Sequence, residues 1–296
     1  MIYNIADNRF IAFIFGLYLP SISVSLAIFA PKLLTPLTLN HYKNPLLKLE
    51  DCKVDGNPNF IIDKSKYDPV KYVKIRILYP HKLVKSKNTS NALLYIHGGG
   101  FISLSSKSQQ SCIRKWAKIT NIVIYSVDYR LAPESSYPDA LDDILNAYYW
   151  VAYHSEQVLG IPAEKIILSG DSAGGGLALS LGLRLMKSNF KKPSGLLIAN
   201  PALNLSSQSF TPSYMFSLTD PILRHSMLLG VIQSYVGDGD AIHDPYLSPS
   251  EISDEDINIM PPVRMMIALK DPLCDEAIKL TLKFAYKYNK GSRKLI

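Results

Sequence analysis

Cysteine is scarce. Cys52, Cys112 and Cys274 are the three cysteines in 296 residues, odd in number and widely spaced. That spacing excludes a disulfide framework and the paired-cysteine pattern of a zinc site, and it favours a reducing compartment. Internal repeats and low-complexity tracts are also missing. The formal net charge is +7, yet no zinc finger, phosphate loop or aromatic-basic platform accompanies it. Lys279, Lys283, Lys287, Lys290, Arg293 and Lys294 cluster near the C-terminus in the pattern of a solvated helix face. Nucleic acid is therefore not an expected partner, and no metal or organic cofactor is implied.

Charge is absent altogether from residues 10–31, a run long enough to cross a bilayer core. Pro20, Ser21, Ser23 and Ser25 interrupt it, and the start carries Asp7 and lacks the basic region of a signal peptide. Residues 1–60 are expected to form an apolar N-terminal segment. It is either a membrane anchor, spanning or monotopic, or a pair of apolar helices forming part of a cap. As an anchor it would leave the bulk of the chain on the cytoplasmic side, the endoplasmic reticulum being one such membrane. Lys32, Lys43 and Lys48 outnumber Arg9 across it.

What is present is alternation. Residues 73–78 alternate apolar and polar, and 92–96, 122–127, 165–169, 196–199 and 263–269 are short apolar runs. Helical patterns occupy 139–154, 173–187, 221–236 and 275–288. Strands and helices in turn predict an α/β core over 61–296, a mostly parallel sheet with helices on both faces. Residues 203–260 are too long for a simple crossover and are expected to hold a cap insertion.

Gly170-Asp171-Ser172-Ala173-Gly174 fits G-x-S-x-G, between a predicted strand and a predicted helix. A strained strand-turn-helix junction of this kind pushes a serine hydroxyl out at the carboxyl end of a sheet. Ser172 is the candidate nucleophile. His97-Gly98-Gly99-Gly100 directly follows another predicted strand, and glycines let backbone N–H groups face a substrate. Gly98, Gly99, Gly100 and Ala173 form the candidate oxyanion hole, with donors from Gly99, Gly100 and Ala173 while Gly98 shapes the loop. His97 is expected to hold that loop. Alone, the first motif could be an ordinary helix-start turn and the second a phosphate-binding turn. Together, in this order, they point to acyl transfer.

Four motifs carry a resemblance: Ile96-His97-Gly98-Gly99-Gly100-Phe101, Asp128 to Glu134 (DYRLAPE), Gly170 to Gly175 (GDSAGG) and Asp271 to Asp275 (DPLCD). The chain resembles the hormone-sensitive lipase family of α/β-hydrolases from about residue 72 to 288. The resemblance implies the α/β-hydrolase fold and serine hydrolysis of carboxylic esters, with small-molecule or lipid esters as partners at a membrane or lipid-droplet surface. The family's triad acid falls on Asp271, which a bottom-up reading also places at the end of a buried strand; its alternative role is a helix cap beside Pro272. Asp275 is expected to cap or begin that helix. Asp128, Arg130 and Glu134 are expected to brace loops, and Asp171 to turn into the hydrogen bonding of the elbow.

The family's histidine follows the acid, but the last histidine here is His243. His41, His81, His154, His225 and His243 all read as surface or cap residues. Losing the triad histidine costs a serine hydrolase up to about a millionfold in turnover. Two expectations follow: a chain that stops before its final strand, histidine and helix, or a homologue that binds ligands without turning them over.

Overall fold

The computed structural model describes residues 25–34, 59, 64–66, 68–80, 91–208 and 210–290. A seven-stranded sheet forms the centre, in the order β1-β2-β4-β3-β5-β6-β7. Its strands are β1 (Ser25–Pro31), β2 (Tyr72–Leu78), β3 (Asn91–Ile96), β4 (Val123–Asp128), β5 (Lys165–Asp171), β6 (Gly195–Ala199) and β7 (Val263–Met266). β1 and β2 run antiparallel to their neighbours, and β4, β3, β5, β6 and β7 are parallel. The helices are α1 (Ser106–Thr120), α2 (Asp139–Tyr153), α3 (Ser155–Leu159), α4 (Ala173–Met186), α5 (His225–Val236), α6 (Asp254–Ile259) and α7 (Cys274–Lys290).

The residue patterns explain these elements. β3 is buried from Ala92 to Ile96, as a central parallel strand covered on both faces must be. β2 alternates, burying Val73, Ile75 and Ile77 while Lys74 and Arg76 take the other face. α2 is buried on nearly every side, with Trp150 and Tyr148 fully enclosed. Asp142, Asp143 and Asn146 sit inside that buried surface, so each needs a polar partner. Asn146 accepts from the Leu34 N–H, and Asp143 binds Arg130 and Lys32.

Several expectations change here. Residues 25–31 are not part of a spanning helix. They form β1, because antiparallel pairing with β2 satisfies the backbone groups that a membrane helix would satisfy internally. The division expected near residue 60 therefore does not separate this strand from the sheet. Residues 10–24, with Pro20, lie outside the described residues, as do His41, His81 and Cys52. Among the described residues no helix is long and apolar enough to cross a membrane. The run expected to be a strand over 263–269 ends at Met266, and its Arg264 and Met266 side chains are exposed rather than buried. The helix expected from 221 begins at His225, since the Asp220 carboxylate accepts from the Ile222 and Leu223 N–H groups and holds a turn there. Of the expected cap, α5 packs on the loop after β3, where Tyr235 stacks on Phe101, whereas α6 returns to the body, where Ile257 joins the main core and Asp256 pairs with Lys187, the residue after α4.

Candidate active site

The parallel register of β3 and β5 places Ile96 opposite Gly170. The loop after β3 and the turn after β5 therefore emerge side by side at the carboxyl edge of the sheet. Ser172 sits between β5 and α4 with φ 52° and ψ −121°, a strained conformation for a residue with a side chain. The main chain is pinned on both sides. Ser172 N–H donates to the Ala199 carbonyl (2.9 Å), and its own carbonyl accepts from the Ala202 N–H (3.0 Å). A Cβ on Gly174 would collide with the carbonyl oxygens of Ile96 and His97, so only glycine lets α4 approach β3 this closely.

The loop His97–Gly100 turns at Gly99 (φ 114°) and Gly100 (φ 62°), both in the left-handed region. His97 is buried and stacks on Tyr129 with ring centroids 4.4 Å apart. Tyr129 in turn donates its hydroxyl to the His97 carbonyl (2.8 Å). Burial pushes the His97 imidazole below its ordinary pKa, so at neutral pH it is an uncharged prop for the loop. Gly98 differs from its two neighbours. Its N–H donates to Asp171 Oδ1 (3.1 Å), so of the candidate oxyanion-hole residues Gly98 has its N–H occupied within the protein, in the loop-shaping place expected of it. The Asp171 side chain likewise reaches across to the loop rather than into its own turn.

Asp128 and Arg130 brace, as expected. Asp128 accepts from Ser106 N–H and Oγ and pairs with Lys74, while Arg130 forks onto Asp143 and reaches Asp139.

A cavity of about 450 Å³ opens over these two turns. Gly99, Gly100, Ser172 and Ala173 form its floor, and Leu203, Leu205, Phe210, Leu223, Leu228, Val231 and Ile232 give it apolar walls. Two features of this wall escape sequence reasoning. α5 is docked on the loop after β3 by Tyr235, whose ring stacks on Phe101 at 3.9 Å. His225, expected on the surface or cap, lines the same cavity as Ser172 and meets Tyr214 edge-on. The conspicuous aromatic residues of 210–235 were the available signal, but sequence does not say which way they face.

Asp271 lies in a turn beyond β7, and its neighbours Pro272 and Leu273 line the cavity. Its Oδ1 accepts from the Leu273 N–H (2.9 Å), the cap-like bond weighed as its alternative role. Burial raises its pKa, the Leu273 N–H opposes this, and the nearby Asp220 adds to the rise. Asp275 does lie in the first turn of α7, but its carboxylate accepts from the Ser213 N–H (2.7 Å), tying the start of that helix to residues 212–218. Ser213 Oγ completes the tie, donating to the Pro272 carbonyl and accepting from the Asp275 N–H. Among the described residues, no histidine ring hydrogen-bonds to Ser172 or Asp271; His243 pairs with Asp240 at the surface.

A family model described as an alpha/beta hydrolase fold matches residues 93–290. An esterase of Acinetobacter venetianus is 31% identical over 247 residues, covering 82% of this chain and 76% of that protein. Mouse hormone-sensitive lipase is 39% identical over 158 residues, or 53% of this chain. The chain belongs to the hormone-sensitive lipase family of α/β-hydrolases. Among solved structures, an esterase of Pyrobaculum calidifontis superposes with a TM-score of 0.67 at 30% identity, covering 76% of this chain and 70% of that one. The match to mouse hormone-sensitive lipase spans only 20% of that protein's length. Relatives in this hormone-sensitive lipase family are named lipases and esterases, that is, carboxylic ester hydrolases.

Proposed function

We propose that the chain is a serine carboxylic ester hydrolase acting on lipid or other acyl esters. One observation carries the reading: Ser172, held at φ 52°, shares the floor of an apolar cavity with Gly99, Gly100 and Ala173. In this reading Ser172 Oγ attacks the acyl carbon, and the N–H groups of Gly99, Gly100 and Ala173 hold the carbonyl oxygen as it gains charge. The alcohol departs, leaving an acyl ester on Ser172 that water then cleaves. The Ser172 proton must pass to a histidine base and on to the departing alcohol; Asp271 would orient that base, a place that none of the described histidines takes. The apolar walls supply the acyl-chain site, and a membrane or lipid-droplet surface is a matching source of substrate.

The test is covalent labelling of Ser172 by a fluorophosphonate, with hydrolysis of p-nitrophenyl butyrate measured with and without added imidazole. Labelling in the parent and none in Ser172→Ala supports the hydrolase. A rate that rises with imidazole in the parent beyond the rise in Ser172→Ala, which carries imidazole's own cleavage of the ester, identifies the proton acceptor as the missing element. The second reading is a ligand-binding homologue without turnover, favoured by the absence of a histidine on Ser172 or Asp271 among the described residues. Saturable binding of an ester without labelling or imidazole-assisted hydrolysis would establish that one instead.

A further inference from the structure

The oxyanion loop and the nucleophile turn come from neighbouring strands, and one side chain joins them. Asp171 closes β5, and its Oδ1 accepts from both the Gly98 N–H (3.1 Å) and the Tyr95 hydroxyl (2.5 Å). The Gln109 side-chain amide of α1 stands 3.4 Å from the other oxygen. That oxygen also occupies the space a Cβ on Gly98 would need, so residue 98 is glycine because Asp171 lies against it. Tyr95 is buried on β3, one residue before Ile96, and its ring meets Trp116 of α1 edge-on at 5.8 Å. The hydroxyl is therefore aimed by packing and is not free to follow the carboxylate.

We propose that Tyr95 is a positioning residue, which holds the Asp171 carboxylate so that it fixes Gly98 and thereby aims the Gly99 and Gly100 N–H groups at the acyl oxygen. Two physical requirements meet here. An oxyanion hole works only when its donors are set before the charge develops, and the Gly99–Gly100 segment has no side chains of its own to set it. A carboxylate adjacent to the nucleophile would also repel a nascent oxyanion unless donors absorbed its charge. Tyr95, Gly98 and Gln109 are those donors. Burial raises the Tyr95 phenol well above its ordinary value, so it remains a donor throughout the pH range of the reaction.

The catalytic consequence rests on the ester-hydrolase reading; the clamp itself does not. Tyr95→Phe keeps the ring and its contact with Trp116 and removes only the hydroxyl. Hydrogen–deuterium exchange of the peptide covering residues 96–103 should quicken about tenfold or more in Tyr95→Phe and in Asp171→Ala, with the β3 and β5 amides unchanged. Asp171→Asn, which keeps an accepting oxygen, should recover most of that protection. In p-nitrophenyl butyrate hydrolysis, Tyr95→Phe should lower kcat about tenfold with KM within about twofold, less than the ~10²–10³ lost with an oxyanion donor. Loop exchange and kcat both unchanged in Tyr95→Phe would overturn the proposal while leaving the hydrolase reading in place. If the parent hydrolyses nothing yet loop exchange responds, the hydrolase reading fails and the clamp stands.

Discussion

Lys32, one residue past the first strand, places its ammonium 2.5 Å from the Asp143 carboxylate, and both side chains are almost entirely buried. This contact joins the N-terminal strand to α2, a helix buried along most of its length. Arg130 approaches the same carboxylate from the loop after β4 at 2.9 Å. Lys32 also donates to the Pro69 carbonyl at 2.6 Å, so the start of β2 is drawn into the same junction.

Removing the shared carboxylate should therefore be costly. Asp143→Ala strips Lys32 of its one carboxylate partner among the described residues and Arg130 of its forked one. Breaking a buried ion pair from one side costs about 3–5 kcal/mol, because an uncompensated charge stays behind. Urea denaturation should show a loss in that range, with Arg130 keeping part of its pairing through Asp139.

Strain at Ser172, the proposed nucleophile, predicts a gain in stability when it is relieved. Gly237 adopts nearly the same conformation as Ser172, φ 55° and ψ −127°, and there the residue is glycine. Relief of such strain is worth about 1–3 kcal/mol, and the added freedom of an unfolded glycine removes about 0.5–1 kcal/mol of it. Ser172→Gly should raise the unfolding free energy by about 1 kcal/mol while abolishing fluorophosphonate labelling.

Two helical glycines should respond with opposite signs to the same substitution. Gly174→Ala drives a methyl into the main-chain carbonyls of Ile96 and His97, which cannot move without separating α4 from β3. A net loss of about 2 kcal/mol is expected, after the helix-propensity gain offsets part of the clash. Gly230, in α5, has nothing near the added Cβ, so Gly230→Ala should stabilise by about 0.5–1 kcal/mol. Paired thermal melts of the two variants check the contrast.

Asp271 should leave a pH signature. Its pKa is raised in the folded chain, by burial first and by Asp220 as well. A carboxyl raised on folding contributes stability that is complete below its unfolded value, near about 3.9, and is lost as pH rises through the folded value. Asp271→Asn keeps an acceptor for the Leu273 N–H but carries no charge. Its melting temperature should exceed the parent's at pH 7, and the difference should vanish below the unfolded carboxyl value. A difference that grew toward acid pH would contradict this electrostatic account.

The chain's own sequence determines what is local. Apolar runs at 92–96 and 165–169 specify buried strands, and Gly170 and Gly174 flank a serine where only a tight turn can form. Residues 97–100 can bend toward a substrate because three of them lack side chains. These features depend on periodicity and on backbone sterics, which a single segment carries by itself.

Tertiary structure decides what depends on register and docking. The pairing of Ile96 with Gly170 directs Asp171 onto Gly98 and occupies that N–H within the protein. Stacking of Tyr235 on Phe101 fixes α5 over the cavity, whose wall includes His225. Residues 25–31, apolar enough to suggest a membrane, become a sheet strand because β2 offers its edge and α2 offers Asp143 for Lys32. An apolar run can be buried equally well by lipid, by a helix or by a sheet. The choice lies in partners more than forty residues away along the chain, and the run itself cannot encode it.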